Sequence, residues 1–109
     1  MPIVLEAHVK IEREIDNEKK IKTFNIEGEL DTHNVKMLKS EISEAIEQDE
    51  WTYVLNMQNV AYLDSSGLGM LVYIKKELHR YNSTLKIINL SDSVLNVFKM
   101  TKLDAYFGL

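Results

Sequence analysis

Apolar and polar positions alternate from the start of the chain. Leu5, Ala7, Val9 and Ile11 are interleaved with Glu6, His8, Lys10 and Glu12. A period of two predicts a strand with one buried face. Asp16-Asn17-Glu18 is turn chemistry, after which Phe24 and Ile26 alternate with Thr23, Asn25 and Glu27. Two strands this close in sequence predict an antiparallel hairpin. Gly28-Glu29-Leu30-Asp31-Thr32 breaks the alternation.

The period then changes. Val35, Leu38, Ile42, Ala45 and Ile46 fall at helical spacing, with Lys36, Lys39, Glu41, Glu44 and Glu47 opposite. Asp31 or Thr32 is placed to cap this helix, and Asp49-Glu50 to close it. Trp51 to Met57 reads as a strand buried on both faces. Leu68, Leu71, Val72 and Leu78 form a second helical stripe, widened by Met70, Tyr73 and Ile74. Lys75, Lys76, Glu77, His79 and Arg80 face water. Leu85 to Leu90 reads as a fourth strand. Ser91-Asp92-Ser93 opens a short helix carrying Val94, Leu95, Val97 and Phe98, and Leu103 to Leu109 is apolar enough to pack down as a last turn. The order is ββαβαβα. Strand-helix-strand units imply parallel strands, so an α/β fold is expected: a mixed sheet, part hairpin and part parallel, with amphipathic helices packed on it.

Composition narrows the function classes. At 109 residues a single domain spanning 1–109 is expected. A net charge of −4 gives no reason to expect nucleic acid as a partner. The chain has no cysteine, which excludes disulfides and thiolate metal sites. Met1-Pro2-Ile3-Val4-Leu5-Glu6 lacks the basic start and long apolar run of a signal peptide. No stretch approaches the ~18 apolar residues of a membrane span. The expectation is a cytoplasmic protein with no membrane partner.

Candidate chemistry concentrates at Asp64-Ser65-Ser66-Gly67-Leu68-Gly69, at a strand-to-helix turn. A nucleophile elbow needs glycine two before and two after its serine; Leu63 and Gly67 flank Ser65, and Asp64 and Leu68 flank Ser66. The histidine that follows, His79, lies on the polar face of a helix more than three turns away. No catalytic residue is assigned. No Gly-Lys-Ser/Thr triplet exists for a phosphate loop, and two glycines fall short of the three in a dinucleotide fingerprint. His8, His33 and His79 lie on three different elements, so no metal and no cofactor is expected. Residue chemistry alone favours Ser65 or Ser66 as a helix N-cap. On that reading Gly67 and Gly69 serve close helix-to-sheet packing and a tight turn.

Asn59-Val60-Ala61-Tyr62-Leu63-Asp64-Ser65-Ser66-Gly67-Leu68-Gly69 resembles the signature of STAS domains, specifically the bacterial anti-sigma factor antagonists. Gly28-Glu29-Leu30-Asp31 resembles that family's earlier loop motif. Leu90-Ser91, Val97-Phe98 and Thr101-Lys102-Leu103 resemble its closing pattern. The resemblance covers nearly the whole chain and implies a STAS fold. It implies a non-enzymatic partner-switching regulator, whose unphosphorylated form binds an anti-sigma factor that is also a serine kinase, freeing the sigma factor. It further implies phosphorylation at Ser65, the serine after the aspartate, reversed by a serine/threonine phosphatase. Asp31, His33, Asp64, Ser65, Ser66, Gly67 and Leu68 are the implied partner surface. The alternative is a STAS scaffold in a sensory assembly or lipid transporter, with no phosphorylation cycle. A nucleotide-binding module at the same turn is a third reading.

Overall fold

Along residues 22–26 and 53–57 every second side chain of the two central strands is buried, and this fixes how helices and sheet meet. The computed structural model describes residues 9–109. Leu5, Ala7 and His8 lie outside the described residues. Seven elements follow one another: β1 (Val9–Asp16), β2 (Ile21–Leu30), α1 (Val35–Glu44), β3 (Thr52–Leu63), α2 (Ser65–His79), β4 (Thr84–Ile88) and α3 (Asp92–Met100). The sheet order is β1-β2-β3-β4. β1 pairs antiparallel with β2, while β2–β3 and β3–β4 are parallel. The expected mixed sheet and element order are therefore found.

One sheet face carries Phe24 and Ile26 of β2, Tyr53, Leu55 and Met57 of β3, and Leu85 and Ile87 of β4, all buried. Arg13 lies opposite Phe24 and pairs with Glu41 of α1, which places α1 over this face. Leu38, Ile42, Leu71, Ile74 and Leu78 complete the core from α1 and α2. The reading of β3 as buried on both faces needs correction, because Thr52, Val54 and Asn56 are half-buried. Their face carries a chain of side-chain hydrogen bonds instead. Asn89 donates to Asn56 (3.0 Å), Asn56 to Asn25 (2.9 Å) and Asn25 to Glu14 (3.0 Å).

Other boundaries move for identifiable reasons. α1 stops at Glu44, ahead of Asp49-Glu50. Its end is held by Lys22, a 5% exposed residue of β2 whose ammonium donates to the Ala45 carbonyl and to Glu47 (3.0 Å). A cation there satisfies the carbonyl end of the helix. β2 continues through Gly28 to Leu30 rather than breaking, with Gly28 at φ 127°. β3 runs past Met57 to Leu63. Its pairing with β2 shifts twice, between Asn25/Glu27 and Gly28/Glu29, with the extra residues on β3. Each bulge adds a residue and spoils period two, so burial falls on Met57, Val60 and Leu63. β4 ends at Ile88. Ser91 caps α3 by accepting from Val94 N–H, and Phe107 of the tail packs edge-on against Phe98 at 5.3 Å. Lys75, expected in water, is half-buried with its ammonium 5.1 Å from the Tyr106 ring centroid.

Candidate functional site

The β3–α2 corner is built by Asp64. Its backbone is extended (φ −112°, ψ −171°), and its side chain accepts from Ser66 N–H (2.9 Å) and Gly67 N–H (3.2 Å). These are two of the donors that a helix start leaves without partners. Asp64 is thus the N-cap, and the expectation that Ser65 or Ser66 fills that role is corrected. A carboxylate at this position also meets the positive end of the helix dipole. The Asp64 N–H donates to the Leu30 carbonyl at 3.2 Å, which ties the corner to the end of β2.

Relieved of capping, the two serines diverge. Ser66 is half-buried, and its hydroxyl lies 3.0 Å from that of Thr32. Ser65 is exposed, and its hydroxyl has no hydrogen-bond partner among the described residues. Gly67 is buried because the chain crosses Leu30 there: an added Cβ would lie 2.6 Å from the Leu30 carbonyl oxygen and 2.4 Å from Leu63 Cδ1. Gly69 has no such neighbour within 4 Å, so close packing explains the first glycine and not the second. Neither has a positive φ, and both lie inside α2 rather than in a turn.

The β2–α1 loop reaches the same corner through Thr32. Asp31 accepts from His33 N–H (3.0 Å) and Asn34 N–H (3.2 Å), closing a turn ahead of α1, whose N-cap is Asn34. His33 is exposed beside it and Asp31 is half-buried. Asp31, His33, Asp64, Ser65 and Ser66 therefore share one region. Of the implied contact surface, Leu68 is 5% exposed and Gly67 is also buried, so these two offer little area and lie beneath the corner. Two residues with structural roles here carried no strong sequence signal. Thr32 holds Ser66, and Asn34, 6% exposed, donates from its side chain to the Glu29 carbonyl at 2.9 Å. The polar cluster Asp31-Thr32-His33-Asn34 marks a loop, but nothing local reveals a partner 34 residues away.

Among the described residues, no group of three His, Cys, Asp or Glu side chains is placed to hold a metal ion, and no helix is long and apolar enough to cross a membrane.

A four-stranded mixed sheet with a capped, hydroxyl-bearing corner after its third strand defines a class. Residues 12–109 match the STAS domain family model, and the chain belongs to that family. It is 30% identical over 90 residues to an anti-sigma-B factor antagonist of Staphylococcus aureus, covering 83% of each chain. The unphosphorylated form of the anti-sigma factor antagonist SpoIIAA has a similar structure, with TM-score 0.75, 28% identity, and coverage of 89% of this chain and 84% of that one. The phosphorylated form of SpoIIAA, a Bacillus cell fate determinant, shares the fold at TM-score 0.66 and 23% identity, over 89% and 87% of the two chains.

Proposed function

We propose that this protein is an anti-sigma factor antagonist that switches partners by phosphorylation at Ser65. The observation that carries the reading is the division of labour at the corner. Asp64 caps, Ser66 is held by Thr32, and the exposed Ser65 hydroxyl is left free for a kinase. The naming of the Staphylococcus aureus relative as an antagonist, and the phosphorylated and unphosphorylated forms of SpoIIAA, support it.

In this reading the protein is a binding partner and not an enzyme, and it acts in the cytoplasm. Its unphosphorylated form binds an anti-sigma factor serine kinase through Asp31, His33, Asp64, Ser65 and Ser66, and the sigma factor is freed. Phosphorylation adds roughly −1.5 to −2 charge at pH 7. At a helix N-terminus that anion is favoured by up to ~1 kcal/mol, so the fold tolerates it. A partner surface matched to a neutral hydroxyl does not, because the dianion must be desolvated against it. About 1.4 kcal/mol of differential binding is already tenfold. A serine/threonine phosphatase resets the switch.

Incubation with the cognate kinase and ATP should add one phosphate, on Ser65 by mass spectrometry. Ser65→Ala should keep kinase binding and Ser65→Asp should lose most of it. Equal affinities of the two variants, or a phosphate placed elsewhere, would refute the proposal. A stable assembly that forms without any ATP dependence would favour a scaffold role instead.

A further inference from the structure

Gly69 breaks a local rule with no visible compensation. It is the fifth residue of α2, where glycine is among the least favourable choices. Gly67 is explained by the backbone it touches, but a Cβ on Gly69 would meet nothing within 4 Å. The fold itself has no use for the missing side chain.

What its absence leaves is a groove of about 250 Å³ between α1 and α2. Gly69 forms its floor, Val35, Met70 and Tyr73 line it, and Lys36 and Lys39 flank it. Tyr73 is 39% exposed, and the Lys39 ammonium lies 3.8 Å from its ring centroid. Neither lysine has a carboxylate partner among the described residues. In a chain of net charge −4, this groove has no acidic side chain in its lining. Ser66 borders it, so the groove is continuous with the corner that carries Ser65.

We infer that the groove floored by Gly69 is a second docking point for the anti-sigma factor kinase, taking an apolar side chain flanked by carboxylates on that partner. The inference rests on the function proposed above. A helix backbone bare of side chain admits close approach, the apolar lining supplies burial, and the two lysines select an acidic neighbour and reject a basic one.

The test compares the wild-type chain with Gly69→Ala, Gly69→Leu and Lys39→Glu, measuring melting temperature and kinase affinity by calorimetry. Gly69→Ala should melt at or above the wild type yet bind the kinase at least threefold more weakly. Gly69→Leu should lose tenfold or more, and Lys39→Glu at least threefold. Kinase affinity of Gly69→Leu within twofold of wild type overturns the inference. So does a self-association that Gly69→Leu abolishes while kinase binding is untouched, which would assign the groove to a second copy. If the wild-type chain itself binds no such kinase, the proposed function fails first and this assignment falls with it.

Discussion

Replacing Gly67 with alanine would place a methyl carbon 2.4 Å from Leu63 Cδ1, 2.6 Å from the Leu30 carbonyl oxygen and 3.0 Å from Leu30 Cβ. Non-bonded carbons rest at about 3.5–4.0 Å. Leu30 and Leu63 are 0% and 3% exposed, so neither side chain has empty space to move into. The Leu30 carbonyl is also fixed by the Asp64 N–H at 3.2 Å, so relief must come from lifting α2 off the sheet or bending the end of β2. Overpacking of this kind costs about 1–3 kcal/mol. The substitution also removes a helical glycine, which returns about 0.8–1 kcal/mol. Gly69→Ala receives the same return without a clash, so the difference between the two variants isolates the packing cost. Near this size, 1 kcal/mol shifts Tm by roughly 4 °C. Gly69→Ala should melt a few degrees above the wild type, and Gly67→Ala roughly 4–12 °C below Gly69→Ala. Thermal melts by circular dichroism, with urea titrations to check that m is unchanged, measure both. A Gly67→Ala variant as stable as Gly69→Ala would refute the close-approach argument.

Further outcomes follow from the same contacts. Asp64→Ala should lose about 1 kcal/mol of stability while Asp64→Asn loses little, because asparagine caps as well as aspartate; equal losses in urea titrations would mean that the charge and not the acceptor matters. Thr32→Val removes the hydroxyl that holds Ser66, so kinase treatment should then place phosphate on Ser66 as well as Ser65. Continued modification of Ser65 alone would show that the hydrogen bond does not select the acceptor. Lys22→Met keeps an apolar stem but leaves the Ala45 carbonyl without its donor, a loss of about 1–3 kcal/mol by urea titration; an unchanged midpoint would remove Lys22 from the account of how α1 ends. Asp49 is held below the ordinary aspartate value of 3.8 by hydrogen bonds from Lys20 and then Trp51. A depressed carboxylate contributes stability above its unfolded value and loses it as pH falls through the folded one. The fluorescence of Trp51, the sole tryptophan, should therefore titrate with a midpoint below 3.8, and a midpoint at or above it would contradict that hydrogen bond.

The order ββαβαβα, the hairpin and the helical stripes were legible in the sequence because each depends on a short period of apolar residues. Leu38 and Ile42, Leu71 and Leu78, and Phe24 and Ile26 are buried as their spacing predicts. Where an element departs from its period, the apolar pattern no longer marks it. The period of β3 fails after Met57 because two bulges move the buried positions to Val60 and Leu63. Gly28 interrupts the pattern without interrupting β2, because a residue at φ 127° inside a strand has no signature in a pattern of apolar positions.

The Asp64–Gly69 segment shows the same division. Its residue types and its place between strand and helix were enough to mark a corner, and the resemblance of the surrounding chain singled out Ser65. Which residue caps, which hydroxyl is tied and which glycine is crowded required three dimensions. Those answers come from Thr32, Leu30 and the Asp64 carboxylate, brought to one point by the parallel pairing of β2 with β3. The sequence by itself determined the elements, since burial periodicity is local. The tertiary structure decided the roles of the two serines and two glycines, since Ser66 and Gly67 are set by contacts with Thr32 and Leu30, which the chain places far away, and Ser65 and Gly69 are set apart by having no such contact.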